Sequence, residues 1–231
     1  EALLLEAKML ATQTGITIKD IPWGLGLVRS HDGCYDEAAQ LLVQGLTLAR
    51  AEHDHWAECE CLARLVINDL ECGCPDLARA RCLELAPVAA KMGEGSERPF
   101  AMTLDALARL AADDDHAGDL LERALDDLRR VDAKALLARA LTFAGFIDLE
   151  SGRPDVANRR ASEALDAAEK VASPSQVTSA HALLGVLAFQ ANDRSAAVAH
   201  LDAIQPYLAH PRSVAARARE SIRKLSELLA G

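Results

Sequence analysis

The chain has 231 residues, half of them apolar, and a formal net charge of −10 from 25 Lys and Arg against 35 Asp and Glu. That is enough apolar material for a core, but with only 2 Trp, 2 Tyr and 4 Phe its weight falls on Ala and Leu, which favours closely packed helices over a β-sandwich rich in Val, Ile, Thr and Tyr. The acidic balance argues against a general nucleic-acid surface, which needs clustered Lys and Arg.

From the N-terminus, apolar residues recur at three- and four-residue spacing and breakers divide the chain into predicted helices. The first covers 1–14 and stops at Gly15. The second, 20–31, ends at the phrase Gly33-Cys-Tyr-Asp-Glu-Ala38, and the third, 35–51, carries Ala38, Leu41, Leu42, Gly45, Leu46 and Ala49 on one face. After Glu52-His-Asp54 a helix over 54–71 runs to Gly73-Cys-Pro-Asp-Leu-Ala78, and 75–92 follows as far as Gly93-Glu-Gly-Ser96. Helices over 97–112 and 115–131 flank Asp113-Asp-Asp-His-Ala117. Past Val131-Asp-Ala133, a helix over 134–150 meets Gly152-Arg-Pro-Asp-Val-Ala157 and is followed by 154–171. Ser173-Pro174 opens 174–191, Asn192-Asp-Arg-Ser-Ala-Ala197 opens 194–209, and His210-Pro211 precedes an end helix over 212–229.

The recurring phrase is the main signal. Its copies begin at Gly33, Gly73, Gly152 and Asn192, spaced 40, 79 and 40, with a degenerate copy near Asp113. Gly or Asn tolerates the left-handed backbone that ends a helix, Pro suits the first turn of the next, and Asp there faces the positive end of the helix dipole. Each period of about 40 residues therefore holds two helices joined by a tight turn. The predicted fold is all-α, a solenoid of about five antiparallel helix pairs forming one domain over 1–231. Its units are 20–52, 53–93, 94–132, 133–172 and 173–210, with 1–14 a helix of a preceding unit and 211–231 an end helix.

Two columns of small residues follow the period. Gly26, Val66, Ala106, Gly145 and Gly185 stand seven before the turns, and Ala38, Ala78, Gly118 or Ala117, Ala157 and Ala197 stand five after. This resembles the tetratricopeptide (TPR) pattern, and the long period, with Leu3-Leu-Leu-Glu-Ala7, Gly24-Leu-Gly-Leu27, Leu41-Leu42 and Leu48-Ala49-Arg50 of the opening stretch, resembles the TPR-like units of MalT-like, LuxR-family regulators and related signalling ATPases. The resemblance covers the whole chain. It implies a protein-interaction or effector-sensing domain of a larger bacterial-type transcriptional regulator or signalling protein, with a free-standing TPR adaptor as the alternative, and it carries no catalytic residue. The third unit lacks its Gly-Pro turn, and Leu or smaller residues fill the usual aromatic positions.

No stretch is long and apolar enough to span a bilayer, and no basic segment followed by an apolar one opens the chain, so a cytoplasmic protein is expected. Because the chain starts Glu1-Ala2-Leu3 already in a helical pattern, it is read as a piece of a longer one. From Pro211 onward Arg212, Arg217, Arg219, Arg223 and Lys224 outnumber Glu220 and Glu227, which reads as an amphipathic end helix with a solvated basic face.

No phosphate-binding loop, zinc-protease or nucleophile-elbow motif occurs, so no enzyme and no cofactor is expected. Gly24-Leu-Gly26 and Gly93-Glu-Gly95 lack the third glycine of a dinucleotide site. Cys34, Cys59, Cys61, Cys72, Cys74 and Cys82 are read as packed thiols. A metal-binding helical protein built on His53, His55 and these cysteines is the lesser alternative, weakened by the lack of Cys-x-x-Cys pairs. Asp113, Asp114, Asp115 and His116 read as a capped helix start, and His181 and His200 as packed or surface residues. In TPR stacks the first helix of each pair lines a concave face, which implies binding positions at Trp23, His31, Glu60, Glu71, Phe100, Thr103, Arg139, Thr142, Phe146, Ser179, Phe189 and Gln190, with Ser30 and Glu150 beside them. There they would receive a protein or peptide segment or a small effector, with no nucleic acid or membrane involved.

Overall fold

The structure is a computed structural model that describes residues 1–209 and 214–230. Among the described residues there are twelve helices and no strand: α1 Ala2–Thr14, α2 Asp20–Asp32, α3 Tyr35–Ala51, α4 His55–Glu71, α5 Pro75–Ala89, α6 Glu97–Ala111, α7 Ala117–Arg130, α8 Lys134–Glu150, α9 Pro154–Lys170, α10 Pro174–Gln190, α11 Arg194–Leu208 and α12 Ala216–Ala230. The expected elements are all present. Three boundaries differ by more than one residue. α5 stops at Ala89, two residues beyond Pro87, as its end tightens into the bonds Lys91 N–H to Val88 O and Met92 N–H to Ala89 O. α7 starts at Ala117 because the Asp114 carboxylate accepts from the His116 N–H at 3.0 Å and holds those residues in a turn. α12 starts at Ala216, and the expected opening of the end helix at Arg212, with the connection at His210 and Pro211, lies outside the described residues.

The turns obey a shorter rule than the sequence phrase. A residue with positive φ recurs at Gly33, His53, Gly73, Gly93, Asp113, Asp132, Gly152, Ala172 and Asn192, every 20 residues with one step of 19. Behind most of them runs the same pair of bonds. At Gly73, for example, the Gly73 N–H donates to Leu70 O and the Cys74 N–H to Asp69 O, and at Ala172 the Ala172 N–H donates to Glu169 O and the Ser173 N–H to Ala168 O. These are left-handed helix ends that satisfy the last carbonyls. The one-residue deletion sits in the α6–α7 turn, so the fully buried Ala117 fills the alanine column while Gly118 meets open space.

By its contacts the chain divides into two compact units, Glu1–Ala117 and Gly118–Gly231. In the first, α2 packs on α3, α4 lies against α3 and α5, and α6 touches α4 and α5. Leu42, Leu62, Leu65, Leu85 and Leu104 are fully buried there. α1 rests lightly on α2 through Leu4, Ala7 and Ala11, buries no residue, and leaves Leu3, Leu5, Met9 and Leu10 exposed. In the second unit α9 packs on α8 and α10, and α10 on α11 and α12. The small-residue column is explained by these approaches. A Cβ on Gly145 would lie 2.7 Å from Leu183 of α10, and one on Gly185 would collide with Leu225 of α12, so a leucine of the next first helix occupies the space.

A charge motif repeats between the units with a shift of 79 residues. Buried Asp69 accepts from Arg81 across the α4–α5 turn, and buried Asp148 accepts from Arg160 and Arg153 across the α8–α9 turn. Arg50 of α3 pairs with Glu84 of α5 at 2.9 Å, and Arg129 of α7 pairs with Glu163 of α9 at 2.7 Å. Each residue of one set has its counterpart 79 further on. Burial pushes the Asp69 carboxyl above its ordinary range, against the opposing pull of Arg81.

Candidate functional site

In the first unit the start of α4 is tied to α2. The Asp54 carboxylate caps α4 by accepting from the Ala57 N–H at 3.0 Å, and Lys19, just ahead of α2, reaches both Asp54 at 3.2 Å and Glu52. The capping bond first, and Lys19 second, hold Asp54 below its usual carboxylate range. This clamp sets α4 so that Trp56 and Glu60, one helical turn apart, stand beside Trp23 of α2. Both tryptophans, with Lys19, Asp20, Glu60, Ala57 and Cys61, line one small cleft of about 20 Å³ between the two helices. Trp56 is 54% exposed, unusual for the largest apolar side chain. The indole N–H of Trp23 is buried and finds no acceptor among the described residues. Glu60 has a loose partner in Arg64, at 3.4 Å.

A roomier apolar cleft of about 300 Å³ opens between α1, α2 and α3, with Ile16, Ile18, Ile21, Leu25 and Leu41 in its walls and Lys8 and Gln44 at its margin.

The expected binding positions divide into two groups. Trp23, Ser30, His31, Glu60 and Glu71 of the first unit and Arg139 and Phe189 of the second are half-buried, and Glu150 and Gln190 are exposed. Phe100, Thr103, Thr142, Phe146 and Ser179 are buried, which corrects their placement on an open face. The hydroxyls of Thr103, Thr142 and Ser179 turn back to donate to Pro99 O, Ala138 O and Ser175 O, at 2.8 Å each. Phe146 belongs to a core with Ala157, Ala161, Leu183, Leu184 and Leu187. The reason is the close approach of successive first helices, which shuts the positions between them. The stripe on α8 is covered further by α12, whose Arg217 guanidinium lies 4.3 Å from the Phe143 ring centroid and 4.9 Å from that of Phe146. Of the basic end stretch, Arg223 pairs with Glu220 and Glu227, and Arg212 lies outside the described residues.

Trp56, Lys19 and Asp20 went unread in the sequence, although Trp56 stands one turn before Glu60 on the same stripe. The cysteines separate by environment. Cys59, Cys61 and Cys82 are buried, and burial pushes their thiols up to about 11, 12 and 12, whereas Cys34, Cys72 and Cys74 are exposed. Among the described residues no three metal-ligating side chains come together. Asp114 holds the turn ahead of α7 by accepting from the His116 N–H, which lies outside the helix. His181 of α10 and His200 of α11 meet, Nδ1 to Nδ1 at 3.0 Å.

No protein-family model matches the sequence, and no curated protein matches it. Solved structures do match. A thermophilic TPR protein of Thermus thermophilus superposes with a TM-score of 0.64 at 16% identity, over 93% of this chain and 100% of that one. The fold is that of TPR proteins. A Rap protein complexed with competence and sporulation factor superposes with a TM-score of 0.65 at 12% identity over 92% of this chain, which spans 64% of the Rap chain. BtubC (BKLC) from P. vanneervenii gives 0.57 at 19% identity, over 89% of this chain and 87% of that one. Among the described residues no helix is long and apolar enough to cross a membrane.

Proposed function

We propose that this TPR domain binds a segment of another protein, and that the cleft between α2 and α4 is where it holds that segment. The observation that carries the reading is the pairing of both tryptophans of the chain around acidic side chains, with Trp56 exposed. Asp20 and Glu60 outnumber Lys19, which is already held by Glu52 and Asp54, and the protein as a whole is acidic. The partner segment therefore presents Arg or Lys next to an apolar side chain. Its cation meets an indole face and a carboxylate, and its apolar neighbour meets the indole edge. A neighbour of the same fold, the Rap protein complexed with competence and sporulation factor, supports a binding role. Membership of a larger bacterial-type regulator or signalling protein, a cytoplasmic setting, and binding rather than catalysis all belong to this reading, with the sequence resemblance as their support. A second reading, a small apolar effector between α1 and α3, is favoured by the 300 Å³ cleft alone.

Because both tryptophans line the α2–α4 cleft, intrinsic fluorescence reports its occupancy. Titration with peptides pairing Arg or Lys with an aromatic residue shifts the emission, and the same peptides with Glu in place of the cation do not. Equal responses to both sets contradict the proposed chemistry.

A further inference from the structure

The turn between α4 and α5 carries Cys72, Gly73 and Cys74, and the two sulfurs stand 3.0 Å apart on the surface. A disulfide bond is about 2.05 Å long, so roughly 1 Å of movement joins them. The backbone already has the sharp reversal that a bridge across one residue needs. Gly73 has φ 76, a value that only glycine adopts freely, and the Cys74 N–H folds back onto Asp69 O at 2.8 Å. The Cys72 thiol has two acceptors within reach, Asp69 O at 3.2 Å and the Cys74 sulfur. The other thiols in this region are set apart, since Cys59, Cys61 and Cys82 are buried.

We propose that Cys72 and Cys74 form a thiol–disulfide site that low-molecular-weight disulfides such as oxidised glutathione oxidise reversibly. The Cys74 thiolate attacks one sulfur of the small disulfide. That S–S bond breaks, the released thiolate takes up a proton, and a mixed disulfide remains on Cys74. Cys72 then gives up its proton to solvent and attacks the Cys74 sulfur, and the second small thiol leaves and is protonated in turn. Two protein thiols have lost two electrons, and one small disulfide has become two thiols. The order of attack follows from Cys72. Desolvation, then the hydrogen bond and charge shared with Cys74, push its thiol up to about 12, so it keeps its proton and acts second. A bridge closed across a single residue is strained and therefore readily reduced again. Such transient bridges are the kind that occur in reducing compartments.

The test is peptide mapping of the full chain after incubation in mixtures of oxidised and reduced glutathione and alkylation of the remaining thiols. Trypsin cuts after Arg64 and Arg79, so the peptide 65–79 holds Cys72 and Cys74 and no other cysteine, while Cys34 falls in the peptide 30–50. The expected product is peptide 65–79 lighter by two hydrogens and closed to alkylation, restored by excess reduced glutathione and unchanged in Cys34→Ser. In Cys72→Ser the reaction stops at glutathione bound to Cys74. Stable glutathione on peptide 65–79 of the unaltered chain, a link to the Cys34 peptide, or thiols that stay free at every ratio overturns the proposal.

Discussion

Ala172 holds the left-handed conformation, φ 49, at an exposed turn where Gly152 does the same work one turn earlier in the chain. A side chain in that region costs about 1–2 kcal/mol, against about 0.5–1 kcal/mol for the extra freedom glycine brings to the unfolded chain. Ala172→Gly is therefore expected to raise stability by about 0.5–1 kcal/mol, and Gly152→Ala to lower it by about 1 kcal/mol, both read by urea unfolding. The same residues separate what residue type displays from what it hides. Gly33, Gly73, Gly152 and Asn192 announce their conformation by residue type and gave a period of about 40. His53, Asp132 and Ala172 adopt it without announcing it, so the 20-residue spacing of the backbone stayed hidden. His181 and His200 pose a titration question. Burial lowers both, with the charge of His200 a second cause for His181 and Glu169 opposing it. The folded state keeps these imidazoles neutral where histidines of the unfolded chain, at about 6.5, begin to bind protons. The unfolded state then binds more protons, so stability falls as pH drops below about 6.5 and this pair has no effect above it. Melting followed from about pH 7.5 to about pH 5.5 should fall more steeply for the unaltered protein than for His200→Gln. Equal slopes contradict the assignment.

At the scale of helices, buried ion pairs lock the α4–α5 and α8–α9 turns. Asp148 and Arg160 are 2% and 8% exposed, and Arg160 reaches on to Glu122 of α7 at 2.7 Å, so one guanidinium ties three helices together. Removing one partner of a buried pair costs about 3–5 kcal/mol where the other charge is left alone, and here exposed Arg153, which still reaches Asp148 at 2.9 Å, holds the loss to the lower part of that range, while replacing both partners by apolar groups is close to neutral. Arg160→Met should lose that amount in denaturant unfolding, and Asp148→Leu combined with Arg160→Met should regain most of it. If the double variant is as unstable as the single one, the pair is not the lock. Neither pair was legible in the helical pattern, because Asp and Arg twelve apart across a turn share no helix face. The identity of Asp69, Leu70, Glu71, Gly73, Pro75, Asp76, Ala78, Arg81 and Glu84 with residues 79 further on is the signal that exposes them. Helix boundaries were far more legible, because Gly, Pro and Asp mark them locally.

For the molecule as a whole, the helix pairs follow from composition and period, but the binding surface does not. Offsets from the turn identify positions on a first helix. Whether such a position meets solvent depends on how near the next first helix lies, and Leu183 seated on Gly145 is a fact of packing rather than of local pattern. Phe146 was thereby lost to the core, and Trp56, one turn from an expected position, emerged at the surface. If the α2–α4 cleft binds a cationic segment through its indoles, loss of one indole weakens the complex. The most direct measurement is the affinity of an Arg-bearing peptide for the full chain and for Trp56→Ala, with Trp23 fluorescence as the reporter in the variant and melting recorded for both. Trp56→Ala should lose about 2–4 kcal/mol in binding, with stability changed by no more than about 0.5 kcal/mol, as an exposed side chain allows. Undiminished affinity in Trp56→Ala would contradict it.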